Sequence, residues 1–382
     1  MNSRERVLCT LNHKEPDKVP LDIGGTIVSS ITSKAYMNLR DYLGMPKEEL
    51  KIFDHVQRLP YIDAELIKRL GIDVHSVQAS YVAADDQKYL DDGDYWAFYD
   101  RWGSKMRMPK VGGHYFDWVE FPIKHISMDE LNNYKWPEPD TGESYLKLRD
   151  RAKYLYENTD YALAGTAIFG GGVFEQPSRM MGMENFLMSL AADEKFADAV
   201  MSKIMDIYVE SCNRYLDLLG QYIQVFIYWN DIAGQNGPLI SPDTYRRMIK
   251  PKDKKLVDAV RRKTEAKIFY HCCGACHDFI PDLIEIGVDI LNPVQVAARD
   301  MDTWQLKKEF GKDISFWGGG VDTQRILPYG TPQQVRDEVK RRIDDLAPGG
   351  GFVFATVHNI QNDVSPENIM TMVETLREYG AY

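Results

Sequence analysis

The stretch FYHCCGACHDF, residues 269–279, gathers residue types that bind metals or carry out redox chemistry. It holds three of the chain's five cysteines, and His271 and His277 flank them. Side chains two positions apart on an extended chain point to the same face, so His271 and Cys273 face together and Cys272 faces away. An imidazole beside a thiolate suits Zn²⁺, which takes nitrogen and sulfur ligands in tetrahedral geometry. The spacing therefore predicts two zinc ligands and requires at least one more from elsewhere.

On spacing alone, three other interpretations of this cluster remain open. Cys273 and Cys276 form a C-x-x-C, which is a redox pair in a thioredoxin-like setting. Cys276 could instead bind zinc beside Cys273. Alternatively, the histidine and the small thiols could fill a buried strand. His277 falls on the next predicted helix, where a surface position is expected.

The remaining ligands and the substrate contacts must come from other parts of the chain. The last apolar run, GFVFATV, leads directly into His358, which is therefore the candidate for the third zinc ligand. The run IQVFIYW is followed by Asp231, and ISFWGG is followed by Asp322. Carboxylates at such positions are expected to contact the substrate or to orient the metal ligands.

These residues lie close together only if the fold brings the ends of the apolar runs to one place. Eight short runs typical of buried strands occur at 18–23, 73–77, 161–166, 223–229, 267–272, 289–294, 314–319 and 351–357. Helical patterns separate the later runs: an amphipathic segment at 194–219, and helices that begin with a cap residue and proline at Ser241, Thr331 and Ser365.

This alternation predicts an α/β fold, a (β/α)₈ TIM barrel that forms one domain over residues 1–382. In such barrels the catalytic groups sit where strands end and the following loops begin. An open doubly wound sheet is the alternative fold, but no G-x-G-x-x-G follows any of the runs.

Residues 86–122 interrupt the alternation. They are rich in aromatic residues, glycine and aspartate, with no helical period and some strand-like alternation. We interpret them as an inserted hairpin region on the loop face of the barrel. It is either a surface insertion that takes no part in the site, or a lid or wall for the substrate.

Composition excludes several classes of function. The chain has 382 residues with 46 basic and 57 acidic side chains, and a net charge of −11 argues against binding to nucleic acid. No apolar run is long enough to span a membrane, and the polar first residues lack the apolar core of a signal peptide. Five cysteines, an odd number of which three are clustered, do not suggest a disulfide framework, so a cytoplasmic protein is expected.

Several long motifs also carry a family resemblance. DIAGQNGPLISPDTYRRMIKP, HCCGACHDFIPDLIEIGVDILNPVQ, FWGGGVDTQRILPYGTPQQVRDEV and SPENI occur in this order. Together they resemble the uroporphyrinogen decarboxylase superfamily, whose members are (β/α)₈ barrels. The resemblance spans nearly the whole chain and is weakest at residues 84–160.

Two branches of that superfamily are distinguished by their residues. True decarboxylases use no metal and bind the porphyrinogen carboxylates with an arginine-rich N-terminal loop. In this chain VPLDIGGTIVSSITSKAY takes that place, and no arginine lies between Arg6 and Arg40. The other branch comprises zinc-dependent methyltransferases that work with corrinoid proteins. It includes methylcobalamin:coenzyme M enzymes and enzymes that demethylate methoxylated aromatics.

Many members of the second branch carry H-x-C at the end of the fifth strand and a cysteine after the last. His271 and Cys273 match the pair, and His358 stands where the coenzyme M enzymes usually have cysteine. The resemblance thus implies zinc bound by these three residues, a corrinoid carried by a partner protein, and a small methylated substrate, for which an O-methyl compound is expected. Residues expected to contact the substrate or order the metal site are Asp231, Gln235, Glu175 and Asp322.

Three alternative functions remain open. They are a metal-independent decarboxylase of the porphyrin type, a methylcobalamin:thiol methyltransferase, and an accessory protein that binds metal or corrinoid without turnover.

Overall fold

The computed structural model describes residues 1–79, 87–124, 126–139 and 142–382. Its strands are β1 Ile52–Asp54, β2 Leu59–Pro60, β3 Val74–Ser76, β4 Leu90–Asp92, β5 Tyr95–Tyr99, β6 Lys105–Pro109, β7 Asp117–Glu120, β8 Ala162–Gly165, β9 Val225–Trp229, β10 Ala233–Gly234, β11 Gly237–Pro238, β12 Lys267–His271, β13 Ile290–Asn292, β14 Ser315–Trp317 and β15 Phe352–Val353.

Helices lie between many of these strands, although β4 to β7 follow one another directly. The α-helices are α1 Ser3–Leu11, α2 Ser33–Tyr42, α3 Ala64–Leu70, α4 Met128–Asn132, α5 Gly142–Asn158, α6 Glu175–Met181, α7 Met183–Ala192, α8 Glu194–Leu219, α9 Pro242–Thr244, α10 Lys250–Arg261, α11 Ile280–Ile286, α12 Thr303–Phe310, α13 Ile326–Tyr329, α14 Pro332–Leu346 and α15 Pro366–Tyr379. A π-helical turn, Tyr245–Ile249, precedes α10, and a 3₁₀ turn, His277–Phe279, precedes α11.

Seven strands of the described chain form a parallel sheet in the order β3, β8, β9, β12, β13, β14, β15. Every residue of β8 and β9 is buried, as parallel strands covered on both faces require. These seven strands coincide with seven of the eight predicted runs, so the barrel prediction is confirmed.

The first predicted run, 18–23, forms two isolated bridges in place of a strand, an antiparallel one between Lys18 and Ala381 and a parallel one between Leu21 and Phe354. The Asp73 N–H donates to the Leu21 carbonyl at 2.8 Å, so this segment lies between β15 and β3 and completes the barrel. Pro20 has no N–H to donate, and Gly24 adopts a left-handed φ of 92°. Both residues prevent a longer ladder.

The predicted helix boundaries are also confirmed. The side chains of Ser241, Thr331 and Ser365 each accept a hydrogen bond from a backbone N–H of the helix they cap. The segment predicted at 194–219 is the amphipathic helix α8, which is followed by Gly220. Among the described residues, no helix combines the length and apolarity that a membrane crossing needs.

The inserted region forms an antiparallel sheet of four strands in the order β4, β5, β6, β7. Its first predicted residue, 86, lies outside the described residues. The sheet packs around a small core formed by Phe98, Met106, Met108 and Phe116 together with Val56, which lies between β1 and β2. The Tyr115 hydroxyl donates to Gln361 Oε1, which ties the inserted sheet to the segment between β15 and α15.

Candidate metal centre

His271 is the last residue of β12, and only 3% of its surface is exposed. In the parallel register it stands beside Asn292, the last residue of β13. The Asn292 amide donates from Nδ2 to the Trp317 carbonyl at 2.7 Å, so its oxygen Oδ1 is turned toward His271. Because Oδ1 can only accept, His271 carries its proton on Nδ1 and donates it there. The other ring nitrogen, Nε2, is left with a lone pair for a metal ion.

Cys273 lies two residues beyond His271, at the start of the loop after β12. Its Sγ is 3.3 Å from His271 Nε2, and its backbone N–H donates to Asp231 Oδ1 at 2.6 Å. Gly274 follows with a φ of 87°, and a Cβ there would lie 2.6 Å from the Gly234 carbonyl oxygen. A glycine is therefore needed for the turn that places the thiol beside the imidazole.

His358 completes the group from the segment after β15. Its ring centroid is 5.5 Å from that of His271. One ligand atom each from His271, Cys273 and His358 all lie within 4.8 Å of one another. Tetrahedral zinc places its nitrogen and sulfur ligands roughly 3.3–3.6 Å apart, so small side-chain adjustments would bring all three onto one ion.

The protonation states of the cluster suit a cation. Burial and the neighbouring His271 lower the pKa of His358 to about 3, so this imidazole is neutral at pH 7 and has a free lone pair. Burial and the carboxylate of Asp231 raise the pKa of the Cys273 thiol. A thiolate here therefore requires a positive charge, which a bound metal ion supplies.

Cys272 and Cys276 lie apart from this group. Both are buried, and the two thiols contact each other. The alternation predicted for Cys272 and Cys273 thus agrees with the structure, and Cys276 faces Cys272 rather than the cluster. His277 lies in the 3₁₀ turn, where its Nε2 contacts Glu309 on the surface.

The cluster opens into a cavity of about 220 Å³. His271 and His358 are part of its lining. Its apolar walls come from Ile27, Val28, Val56, Trp118 and Trp229. Its charged side chains are Asp54, Glu175, Arg179 and Asp231. Trp118 belongs to β7, so the inserted sheet supplies one wall of the cavity. This agrees with its predicted role as a lid or wall for the substrate.

Two of the predicted carboxylates lie in this cavity. Asp231 Oδ1 is 3.7 Å from His271 Nε2, and burial together with the nearby Glu175 raises the pKa of Asp231 to about 6. Glu175 begins α6 and forms an ion pair with Arg179 at 2.9 Å. Asp231 is therefore placed to contact both the metal ligands and a molecule in the cavity.

Gln235 and Asp322 are placed differently. Gln235 Nε2 donates to the Ala297 carbonyl at 2.7 Å, and its oxygen accepts from Gln295 at 2.7 Å. Gln295 in turn accepts the Gly274 N–H, so Gln235 supports the turn that carries Cys273. Asp322 Oδ1 accepts the backbone N–H of Gln324 at 2.7 Å. Neither side chain is part of the cavity lining.

Three residues of the site were not found from the sequence. Asn292 follows a predicted strand and could have been found by aligning the ends of neighbouring strands. Asp54 and Arg179 carry no such signal, because one ends a strand of three residues and the other lies within a helix.

We expect Asn292→Ala to lower the zinc affinity of the protein by about 10–100-fold, because His271 loses the acceptor that fixes its tautomer and ring orientation. Competition with a chromogenic chelator measures this change. Asn368→Ala, which removes another buried asparagine that donates to the Leu327 and Gly330 carbonyls, is the matched control and should leave the affinity unchanged. Equal affinities for both variants would contradict the assigned role.

Comparisons with known proteins agree with this architecture. Residues 101–379 match the model of the family described as uroporphyrinogen decarboxylase (URO-D). The uroporphyrinogen decarboxylase of Geobacter metallireducens is 26% identical over 269 residues, which cover 67% of this chain and 71% of that protein. The enzyme of the same name from Chlorobium phaeobacteroides is 24% identical over 189 residues, which cover 49% of this chain and 50% of the relative.

A solved structure described as a methyltransferase from Methanosarcina mazei superposes on the chain with a TM-score of 0.67. The superposition covers 100% of both chains at 16% sequence identity. At that identity the likeness establishes a shared fold.

Proposed function

The chain belongs to the uroporphyrinogen decarboxylase family, and from this premise we propose that it is a zinc-dependent methyltransferase that moves a methyl group from a small O-methyl substrate to a corrinoid protein. The observation that carries the proposal is the cluster of His271, Cys273 and His358, whose ligand atoms lie within 4.8 Å of one another at the strand ends. A decarboxylase that works without metal has no use for such a donor set.

The residues present fit a zinc ion. Two neutral imidazoles and one thiolate provide three ligands, which leaves a fourth position open as in catalytic zinc sites. Zinc bound there would supply Lewis acidity toward the oxygen of an ether or hydroxyl group. Asn292 fixes the ring of His271, and Asp231 fixes the backbone at Cys273.

The cavity supplies the other requirements of methyl transfer. Trp118 and Trp229 contribute aromatic walls that exclude water from a small substrate. A volume of about 220 Å³ admits a small molecule but does not enclose a tetrapyrrole. In this proposal the corrinoid approaches the cavity mouth from outside as the cofactor of a partner protein. None of the five cysteines forms a disulfide, which fits a cytoplasmic location.

The charges of the cavity argue against the decarboxylase alternative. Its lining has three carboxylates and one arginine, and that arginine is already paired with Glu175. The family match begins at residue 101, so the N-terminal segment without arginines between Arg6 and Arg40 lies outside it. A substrate with many carboxylates would find no bidentate partners here.

We therefore expect no decarboxylation of uroporphyrinogen at a useful rate. Each buried carboxylate of that substrate left unpaired costs on the order of a few kcal/mol. Chromatography with fluorescence detection of coproporphyrin after oxidation measures the product. Coproporphyrinogen formed with an efficiency typical of enzymes would contradict the proposal and restore the decarboxylase.

Mixing the zinc-loaded protein with a reduced corrinoid and a panel of small methyl ethers tests the proposed function. Methyl transfer would break the bond between the methyl carbon and the ether oxygen and form a bond between carbon and cobalt. The oxygen would keep the electron pair and take up a proton. The visible spectrum of methylcobalt should then appear. A thiol methylated readily from methylcobalamin, with no methylcobalt from any ether, would point to the thiol methyltransferase instead.

A further inference from the structure

Asp54 is a buried carboxylate in the cavity wall that the proposed reaction does not use. It ends β1, only 1% of its surface is exposed, and it is part of the cavity lining. Its Oδ1 accepts the backbone N–H of Gln57 at 2.6 Å. Within the residues that the structure describes, it forms no ion pair with a lysine or arginine. A buried carboxylate without a direct ion pair is costly, so its retention in a cavity wall indicates a ligand that supplies a cation in contact with it.

The charge balance of the cavity points the same way. Arg179 is paired with Glu175 at 2.9 Å, and its guanidinium also lies 4.3 Å from the centre of the Trp118 ring. Zinc with one thiolate ligand would keep a single positive charge, and Asp231 stands next to the ligands to balance it. Glu175 and Asp231 each have a direct partner of opposite charge in this arrangement, whereas Asp54 receives the charge of Arg179 only from a distance.

The surroundings of Asp54 suit an organic cation. Val56 and Gln57, two and three residues further on, line the same cavity, as does Trp229 of β9. The Trp229 ring donates its N–H to the Gly170 carbonyl at 2.9 Å, so the ring is fixed in the wall. An aromatic face and a carboxylate together recognise ammonium groups.

We propose that the O-methyl substrate also carries a positively charged amine, and that Asp54 selects it. This inference rests on the proposed function for the methyl group, but the charge of the ligand is tested separately by binding. The substrate class is then a small methyl ether with a protonated amine. Methoxylated carboxylic acids should bind more weakly, because the carboxylates of the cavity would repel them.

Calorimetric titration of the zinc-loaded protein at pH 8 with three matched ligands tests the inference. The ligands are 4-methoxybenzylamine, 4-methoxybenzyl alcohol and 4-methoxybenzoate, which share the methyl ether and the ring and differ in charge. Burial raises the pKa of Asp54 to about 6, so its carboxylate is ionised at this pH. We expect the amine to bind at least about tenfold more tightly than the alcohol, as a charged hydrogen bond predicts, and the benzoate to bind most weakly.

Asp54→Asn should abolish most of this preference while keeping the bond to the Gln57 N–H, since an amide oxygen also accepts. Asp193→Asn is the matched control, because Asp193 accepts the N–H of Phe196 three residues later and lies outside the cavity lining. It should leave the preference unchanged. The inference is overturned if the amine binds no more tightly than the alcohol, or if Asp54→Asn keeps the wild-type preference.

The two proposals can fail separately. A preference for the amine without methylcobalt formation would overturn the methyltransferase and leave the charge selection standing. Methylcobalt formed from neutral ethers, with no preference for the amine, would overturn the charge selection and leave the methyltransferase standing.

Discussion

Cys273→Ala is expected to lose the zinc that the wild-type protein carries at about one equivalent per chain, whereas Cys272→Ala is expected to retain it. The Cys273 thiol lies 3.3 Å from His271 Nε2, while Cys272 is buried against Cys276. Loss of a direct ligand should weaken binding by more than the roughly 10–100-fold that outer partners contribute. Elemental analysis of both variants after dialysis against a mild chelator measures the difference.

Two further variants make this result decisive. His358→Ala should lose zinc like Cys273→Ala, and Cys276→Ala should behave like Cys272→Ala. Equal zinc loss from Cys272→Ala and Cys273→Ala would defeat the assignment. If Cys276→Ala loses zinc and His358→Ala does not, the metal site lies within the loop after β12 and His358 is not a ligand.

Removal of zinc is expected to lower the rate of methylcobalt formation from a methyl ether by about two to three orders of magnitude. A Lewis acid contributes several kcal/mol to such a reaction, and each tenfold change in rate corresponds to about 1.4 kcal/mol. The visible spectrum of the corrinoid follows the rate in the zinc-loaded, chelated and refilled protein. Refilling should restore the rate, which separates loss of metal from loss of fold.

His358→Cys tests why a histidine stands at this position. A thiolate in place of a neutral imidazole adds negative charge to the ligand set and should make the metal a weaker Lewis acid. We expect the variant to keep its zinc and to demethylate ethers more slowly. An equal or faster rate would contradict the link between His358 and an oxygen leaving group.

The parts of this site that were predicted from the sequence depend on regular geometry. Side chains alternate along a strand, so the common direction of His271 and Cys273 followed from their spacing. The ends of parallel strands meet on one rim of a barrel, so His358 and Asp231 could be placed near them before any coordinates were known.

Gln235 and Asp322 were predicted as site residues, but local turns that the sequence pattern does not reveal decide where their side chains lie. Gln235 sits in the two-residue turn between β10 and β11, a small hairpin that directs it toward Ala297. Asp322 bonds to the backbone two residues ahead, as aspartate often does in turns. Asp54 ends a three-residue strand that is too short to give a periodic pattern.

The inserted sheet could also be predicted from the sequence only in part. Its aromatic and strand-like pattern indicated antiparallel strands, and the structure contains them. Their position over the barrel depends on long-range contacts such as that between Tyr115 and Gln361, which are 246 positions apart. The pattern could therefore suggest a wall for the substrate but could not identify Trp118 as the residue that forms it.

X-ray absorption at the zinc edge of the protein as purified tests the central claim most directly, because it counts the sulfur ligands. With His271, Cys273 and His358 as ligands, the spectrum should show one sulfur at about 2.3 Å and light atoms at about 2.0–2.1 Å, two of them imidazole nitrogens. Two or more sulfur ligands, or a single imidazole, would contradict this ligand set and with it the proposed chemistry of the site.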